Sequence, residues 1–443
     1  MQNFFQDPIY GHANLILLFW SLGIVGNILL ALCKSKNLKA AVSAFWNEER
    51  LLYGDWAANQ RIEIGAQLFL IAAVVIQIIT FFLNSLVREN WPQTTLLLKL
   101  MGQHILGACL VLKIVLCSRY SGKQLLFAWP AYFVLRWSFI NNHSYWIMMA
   151  TLCIFAAKDI PLKKTLQKCL WASLGSVMLV FLGVAVKMIP IGQLVMEDGR
   201  VRYGLGYGSP NLLGAYLLGI LVMYACYRGV QNLNWWELVL FGAVGLFCDW
   251  VPKSRGAAVA ILALVIGLCV AKCFPKLFEY TPVQVLTALS PAAVFGVSYW
   301  MHAEYSTDNP LFVKLNSMLT GRLALGSMAM QEFPVKIMGQ MVPEESVAFV
   351  DNIHVFIWLA AGPVASFLIW AAFGILIWKL IQKGCITEVV CIGAFLAHSL
   401  VDRQILWPSV NLLLWLLAGV FYWAPREQFP AFTTKNSIKE NGK

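Results

Sequence analysis

Charge is the property that this sequence has least of. Only 12% of its 443 residues are Asp, Glu, Lys or Arg, whereas 59% are hydrophobic. A soluble domain of this length could not cover so much apolar surface with so few charges. The apolar residues also come in runs of about 17 to 25, the length that crosses the hydrocarbon core of a bilayer. The composition therefore predicts an all-α, polytopic integral membrane protein.

Signals of several other protein classes are missing. None of the 11 cysteines lies in a long external loop, so no disulfide framework is expected. The CxxC and paired-histidine spacings of a zinc site are absent. No basic segment precedes the first apolar run, so no cleavable signal peptide is predicted. The sequence has no basic helix interleaved with aromatic residues, the pattern that would indicate nucleic-acid binding. Its net charge of +11 is explained mainly by the enrichment of Lys and Arg in cytoplasmic loops.

The apolar runs predict about 13 transmembrane helices, within a range of about 11 to 14. They lie near 14–33, 65–85, 97–117, 124–140, 143–157, 168–189, 210–227, 234–250, 256–273, 282–300, 352–379, 385–401 and 406–423. Basic residues follow the first span and recur in every second loop after it. Because Lys and Arg are enriched in cytoplasmic loops, the N-terminus is predicted outside and the C-terminus in the cytoplasm.

Residues 1–424 are thus expected to form a single transmembrane domain, followed by a short polar cytoplasmic tail at 425–443. Two external loops, at 190–209 and 301–351, are much longer than a tight turn. Apolar residues at mixed helical spacings within the second loop predict an amphipathic helix on the outer leaflet. Their number argues against disorder, and ordered loops of this length are usually functional.

Five cationic side chains fall on the predicted outer side, where the orientation rule disfavours them: Arg200, Arg202, Lys253, Arg255 and Arg322. The planar guanidinium group donates two parallel, charge-assisted hydrogen bonds, a geometry that suits phosphate and pyrophosphate. We interpret these residues as an anion-binding cluster. Contacts with lipid headgroups, or snorkelling at the interface, are the alternative explanation.

Polar neighbours accompany these cations in three short segments. The glycine-rich turn GRVRYG, with Arg200 and Arg202, stands shortly before Asn211 and is interpreted as a clamp for an anionic ligand. Three consecutive polar residues start a later span, where the helix N-terminus adds positive potential: Lys253, Ser254 and Arg255. In the third segment, Thr320 and Gly321 precede Arg322 on the expected interfacial helix.

Asp351, Asn352 and His354 stand where the chain re-enters the membrane from outside. Asp351 and His354 are three residues apart and would share one face of a helix. An acid and an imidazole at the mouth of a cavity could deprotonate a sugar hydroxyl. Alternatively, Asp351 or Asn352 simply caps the helix N-terminus.

The order of four short motifs resembles that in membrane polysaccharide polymerases and O-antigen ligases, with the capsule or exopolysaccharide repeat-unit polymerases of Gram-positive bacteria (Wzy type) as the nearer branch. The motifs are GYGSPNLLGAYLL, KSRGAA, LTGRLALG with IMGQ behind it, and VDNIHVFIWLAAGP, between about 204 and 364. The ligase branch usually has His before the Asn of the last motif, where this chain has Asp351. The Gram-positive polymerases often have Tyr in place of His354.

The resemblance implies a GT-C-like architecture and metal-independent, inverting glycosyl transfer without a cofactor. The substrates would be undecaprenyl-pyrophosphate-linked oligosaccharides in the bilayer, and a chain-length regulator and a flippase of the same pathway would be partners. Arg255 and Arg322 would hold the donor pyrophosphate, while Arg200 and Arg202 hold the acceptor lipid or the leaving carrier. Asp351, aided by His354, would orient or deprotonate the acceptor hydroxyl.

The predicted substrate-binding set is completed by five further residues: Lys253, Ser254, Thr320, Asn211 and Asn352. A ligase that transfers finished glycan to another acceptor is the alternative enzyme. A flippase or exporter of lipid-linked oligosaccharide is the alternative outside enzymes. A transporter would be expected to show an internal repeat and charged residues near mid-membrane, and this sequence shows no repeat and few such charges. A noncatalytic assembly scaffold also remains open.

Overall fold

The computed structural model of the protein describes residues 8–34, 37–53, 58–142, 144–195, 199, 201–342 and 350–421. Arg200, part of the second long loop (343–349) and the tail at 425–443 lie outside the described residues. Eight helical segments in the described ranges are long and apolar enough to cross a membrane, and two shorter apolar helices accompany them. The prediction of an all-α membrane protein is confirmed at this level.

The helices form a bundle in which short strands pair only in loops. In chain order they are α1 (Pro8–Lys34), α2 (Leu38–Asn47), α3 (Ala58–Ile78), α4 (Val87–Asn90), α5 (Pro92–Leu112), α6 (Gly122–Asn142), α7 (Tyr145–Ala156), α8 (Leu162–Ala185), α9 (Pro210–Arg228), α10 (Trp235–Trp250), α11 (Arg255–Cys273), α12 (Thr281–Ala303), α13 (Pro310–Met318), α14 (Arg322–Glu332), α15 (Ile353–Phe356), α16 (Gly362–Gln382), α17 (Ile386–Ser399) and α18 (Ala418–Phe421). The antiparallel strand pairs are β1 (Arg50–Leu51) with β2 (Arg119–Tyr120), and β3 (Gln193–Val195) with β4 (Val201–Tyr203).

The last predicted span, 406–423, is not a regular α-helix in its described part. It consists of a 3-10 turn at Gln404–Leu406, a second at Leu412–Leu417 and the single turn α18. Pro408 lies between the two 3-10 turns, and its ring removes a backbone donor and clashes with the preceding turn of an α-helix. The prediction of a continuous helix here is therefore wrong. The segment is nevertheless buried against the bundle.

Helix α9 lies at the centre of the bundle. Of its most apolar window, 72% is buried, against 11% for α12. Pro210 occupies its first turn, where a missing N–H is tolerated. Its position is fixed by Tyr216, whose hydroxyl donates to the carbonyl oxygen of Thr80 at 2.8 Å. Just before the helix, the Tyr207 hydroxyl donates to the carbonyl oxygen of Phe81 at 2.9 Å, so both tyrosines tie α9 to the π-helical turn at Ile79–Leu83.

The second long loop contains two short helices, α13 and α14, rather than one amphipathic helix. Leu319 ends the first, and Thr320 and Gly321 then take positive φ values of 55° and 84°. Two successive left-handed residues reverse the chain, because an α-helix cannot continue through them. Asn316 holds this turn, since its side-chain oxygen accepts from the backbone N–H of Ala324 at 3.0 Å.

Loops that were predicted to share the cytoplasmic side contact one another at one end of the bundle. The Lys158 ammonium donates to Glu49 at 2.8 Å and to Gln124 at 3.1 Å, which joins three different loops or loop-proximal helix ends. The β1–β2 pair joins the first and second of the predicted cytoplasmic connections at that end as well. These segments, which loop charge groups together, therefore lie at one end of the bundle.

Candidate functional site

A cavity of about 770 Å³ opens at the opposite end of the bundle. It lies between the N-terminal ends of α9 and α11 and the C-terminal ends of α10 and α17, and the turn before α14 closes one side. Seven of the eleven residues predicted for the site line it: Arg202, Asn211, Lys253, Arg255, Thr320, Arg322 and Asp351. We call this site the cationic cavity.

The charge of the cationic cavity is unbalanced. Four cationic side chains line it, whereas Asp249 and Asp351 are its only carboxylates among the described residues, which leaves a formal excess of two positive charges. A cleft with one predominant sign of charge and low-dielectric walls concentrates ligands of the opposite sign. The cavity is therefore suited to an anion that carries more than one negative charge.

Arg202 is held by the loop that precedes α9. It lies on strand β4, and its Nε donates to the carbonyl oxygen of Pro252 at 3.2 Å. Its Nη2 donates to the side-chain oxygen of Asn211, in the first turn of α9, at 2.6 Å. The β3–β4 hairpin is thereby linked to two helix starts, and one edge of the Arg202 guanidinium is fixed beside the cavity.

Lys253 and Arg255 come from the tight turn between α10 and α11. Lys253 has a φ of 50°, an unusual value for a side chain of its size, and Arg255 begins α11. Within the described ranges, neither side chain makes a hydrogen bond or an ion pair. Both cations are thus available to a ligand, and the positive end of the α11 dipole reinforces them.

Arg322 and Asp351 form the one contact between opposite charges within this cavity that the described residues show. The Nε of Arg322 lies 2.6 Å from Oδ2 of Asp351, and the side chains are 15% and 22% exposed. The two positive-φ residues before α14 place Arg322 at its first position, facing the chain that enters α15. One edge of the guanidinium holds the carboxylate, and its remaining N–H groups are oriented by that contact.

Asn352 caps a helix instead of lining the cavity. Its side-chain oxygen accepts from the backbone N–H groups of His354 and Val355 at 3.0 and 3.2 Å, and its side-chain nitrogen donates to the carbonyl oxygen of Leu400 at 2.9 Å. The capping alternative is therefore the one that the structure has. Because α15 begins only at Ile353, the expectation that Asp351 shares a helix face with His354 is wrong.

His354 and Ser254 also lie away from the cavity. The His354 side chain is fully buried, with Nε2 at 2.8 Å from the hydroxyl oxygen of Ser399 and its ring centroid 4.3 Å from that of Trp370. Ser254 is buried as well, and it packs against Gly214, where only a glycine leaves room. His354 faces neighbouring helices, whereas Ser254 lies at the N-cap position of α11 and faces α9. We therefore drop both from the set of ligand-contacting residues.

Apolar residues that sequence reasoning did not single out make up the rest of the wall. They include Trp250, Met318, Leu325 and Val401. Trp250 is 75% exposed, more than any other large hydrophobic side chain among the described residues. Its position in the motif DWVPKSRGAA, directly before the predicted cations, was the available signal. An amphiphilic ligand with an anionic head and an apolar tail would match this division of the wall.

In the described part of the chain, no group of three or more His, Cys, Asp or Glu side chains is placed to hold a metal ion. No protein-family model, curated protein or solved structure matches this chain.

Proposed function

We propose that this protein is a glycosyltransferase of the polysaccharide polymerase and O-antigen ligase superfamily. It joins undecaprenyl-pyrophosphate-linked oligosaccharide repeat units into capsular or exopolysaccharide chains at the outer face of the bacterial cytoplasmic membrane. The observation that carries the proposal is the cationic cavity, where separate segments that resemble this family's motifs meet at one end of a membrane bundle. A lipid pyrophosphate has the multiple negative charge and the apolar tail that its wall complements.

The proposal includes the membrane arrangement. About 13 spans with the N-terminus outside place the cationic cavity at the extracytoplasmic end. The eight long apolar helices would be joined as spans by α6, α7, α10, α17 and the interrupted segment after Arg403. The architecture is expected to be GT-C-like, with the catalytic cavity at the membrane surface.

In the reaction, an acceptor hydroxyl oxygen attacks the anomeric carbon of the donor sugar as the bond from that carbon to the pyrophosphate oxygen breaks. The configuration inverts, and the hydroxyl proton leaves for a carboxylate or water. Negative charge grows on the departing pyrophosphate, so cations that are already in place stabilise the transition state. Lys253, Arg255 and Arg322 have that role, and Arg202 holds the edge of the ligand toward α9.

Asp351 is the remaining group for the acceptor. Its carboxylate lines the cavity beside Arg322, so an acceptor hydroxyl bound there would lie close to the donor pyrophosphate. Because its Oδ2 already accepts a hydrogen bond from Arg322, Asp351 has the role of orienting the acceptor hydroxyl. His354 has no part in this mechanism because its ring is buried behind the wall.

The experiment is chain extension with purified protein in lipid nanodiscs, given a defined undecaprenyl-pyrophosphate-linked repeat unit without ATP or an ion gradient. We expect a ladder of lipid-linked products on a gel. Arg255→Ala should slow chain growth about 100- to 1,000-fold, the usual loss when one donor to a developing anion is removed. Lys314→Ala is the matched control, because Lys314 is exposed on the neighbouring α13 and does not line the cavity.

The outcomes separate the candidate functions. Product ladders that depend on Arg255 support a polymerase, whereas transfer of glycan to an added second acceptor without ladders indicates a ligase. Absence of any transfer by a folded wild-type protein contradicts the enzymatic proposal. Equal rates for Arg255→Ala and Lys314→Ala would show that the cavity does not bind the donor pyrophosphate.

A further inference from the structure

A second cavity, of about 330 Å³, opens at the same end of the bundle. It lies between the C-terminal end of α6, the start of α7, the start of α15 and the chain that follows α17. Its lining includes Asn142, Tyr145, Trp146, Phe356, Arg403 and Trp407. We call it the aromatic cavity. Its volume is at the lower end of the range of small-molecule pockets, about 300–1,000 Å³.

The aromatic rings of this cavity are held in fixed positions. Trp146 and Trp407 stack with their centroids 4.1 Å apart and an angle of 15° between the planes, and Tyr145 packs edge-on against Trp146 at 5.0 Å. The Arg403 guanidinium lies over the Phe356 ring, 4.8 Å from its centroid. These residues come from α7, α15 and the loop after α17, so tertiary contacts preorganise the surface before any ligand binds.

The chemistry of the aromatic cavity differs from that of the cationic cavity. Arg403 is the only charged side chain that lines it among the described residues, whereas four cations line the other site. Amide, hydroxyl and guanidinium groups surround flat apolar surfaces. A pyranose ring has the matching pattern, with apolar C–H faces that pack on aromatic rings and hydroxyl groups at its edge. A diphosphate would find little charge to complement here.

A thin wall separates the two cavities. Asp351 lines the cationic cavity, and Ile353, two residues later, lines the aromatic cavity. Likewise, Val401 lines the cationic cavity and Arg403 lines the aromatic cavity. Two residues of extended chain span only about 7 Å. The Asn352 side chain joins both segments of the wall through its hydrogen bond to the Leu400 carbonyl oxygen at 2.9 Å. A glycan attached to a pyrophosphate in one cavity would therefore have its sugars next to the other.

We propose that the aromatic cavity is a saccharide-binding subsite, in which pyranose units pack against the stacked pair Trp146 and Trp407. This inference rests on the proposed function, because it assigns the sugar portion of the same lipid-linked substrate. The subsite holds the glycan while the cationic cavity holds the pyrophosphate. The hydrogen-bonded wall fixes the distance between the two parts.

Binding to the purified protein in nanodiscs tests the proposal, with two kinds of soluble probe measured separately. The saccharide probes are chitotetraose, cellotetraose and tetragalacturonate, which are N-acetylated, neutral and acidic, and the anion probe is inorganic pyrophosphate. At least one saccharide should bind at millimolar concentration. Trp407→Ala should weaken its affinity about tenfold, or about 1.4 kcal/mol. Pyrophosphate affinity should stay within about twofold of wild type, since stacking alone is lost.

Further variants keep the test decisive. Trp407→Phe retains an aromatic ring and should restore most of the saccharide affinity. Trp146→Ala removes the other ring of the stacked pair, so it should weaken saccharide binding to a similar extent, and it replaces Trp407→Ala if that variant does not fold. Trp171→Ala is the matched control, because Trp171 is 64% exposed on α8 and lines neither cavity. Arg255→Ala should give the converse pattern, with weak pyrophosphate binding and unchanged saccharide binding.

Failure of all three saccharides to bind the wild-type protein overturns the inference, whatever pyrophosphate does. So does saccharide binding that Trp407→Ala leaves intact, because the sugar then lies elsewhere. Loss of pyrophosphate binding alone would instead count against the proposed function. The two failures are therefore distinguishable in one set of titrations.

Discussion

Neutralising the two halves of one ion pair should change anion binding in opposite directions. Arg322 and Asp351 contact each other at 2.6 Å on the wall of the cationic cavity. If Arg322 is a ligand for pyrophosphate, Arg322→Ala removes a donor and weakens binding. Asp351→Asn removes a carboxylate that competes for the same guanidinium, so it should strengthen binding. A pair with a purely structural role would predict weaker binding in both variants.

The geometry gives the magnitudes. A charge-assisted hydrogen bond contributes about 1.5–3 kcal/mol, so Arg322→Ala should weaken pyrophosphate binding about 10- to 100-fold. An anion on the far edge of Arg322 would lie roughly 6 Å from Asp351, where repulsion between unit charges is about 0.7–3 kcal/mol for a dielectric constant of about 80 to 20. The cavity is open and screened by salt, which favours the lower end. Asp351→Asn should thus tighten binding about three- to tenfold.

Isothermal titration calorimetry of inorganic pyrophosphate into nanodisc-embedded protein measures both effects at neutral pH. The double variant has the net charge of the wild-type cavity but should bind more weakly than Asp351→Asn alone, because Arg322 contributes hydrogen bonds as well as charge. Lys314→Ala, which removes an exposed charge at the same end of the bundle, should change the affinity less than twofold. Weaker binding by Asp351→Asn, by as much as Arg322→Ala, would refute the reasoning.

Three other outcomes follow from single residues. The rate of chain extension by His354→Gln should stay within about fivefold of wild type, because the His354 ring does not line the cavity. Loss of a general base would instead reduce the rate about 100- to 10,000-fold. A reduction of that size would show that His354 acts as a base. Gly362→Ala should lower the midpoint temperature of thermal unfolding, because Gly362 has a φ of 85° and a Cβ there would clash with the carbonyl oxygen of Ile337. An unchanged midpoint temperature would contradict this packing. Burial, followed by the charge of Asp351, raises the pKa of Asp402 from 3.8 to about 6. The neutral form is therefore favoured on folding, and its stabilisation is complete below pH 3.8 and lost as the pH rises through about 6. Thermal unfolding of wild type against Asp402→Asn should show this loss in wild type only, and parallel pH profiles would contradict it.

Sequence alone determined the class of the protein, which is all-α with helices long and apolar enough to cross a membrane. Apolar length is a local property, and a run of about 20 residues predicts a span whatever it packs against. Loop charge is an equally local property. Lys158 and Glu49 are in contact at one end of the bundle, and Arg255 and Arg322 line one cavity at the other. The same reasoning failed after Arg403, where Pro408 interrupts an apolar run that is buried without being a continuous helix.

Only the tertiary structure decided which polar side chains face a cavity. Arg255 and Ser254 are adjacent in sequence, yet Arg255 lines the cationic cavity and Ser254 packs under α9 against Gly214. Asp351 and His354 diverge in the same way, because α15 starts between them. A side chain's direction depends on where its helix begins and how that helix is rotated against its neighbours. Those quantities are set by long-range packing, whereas hydrophobicity and charge are present in the residues themselves.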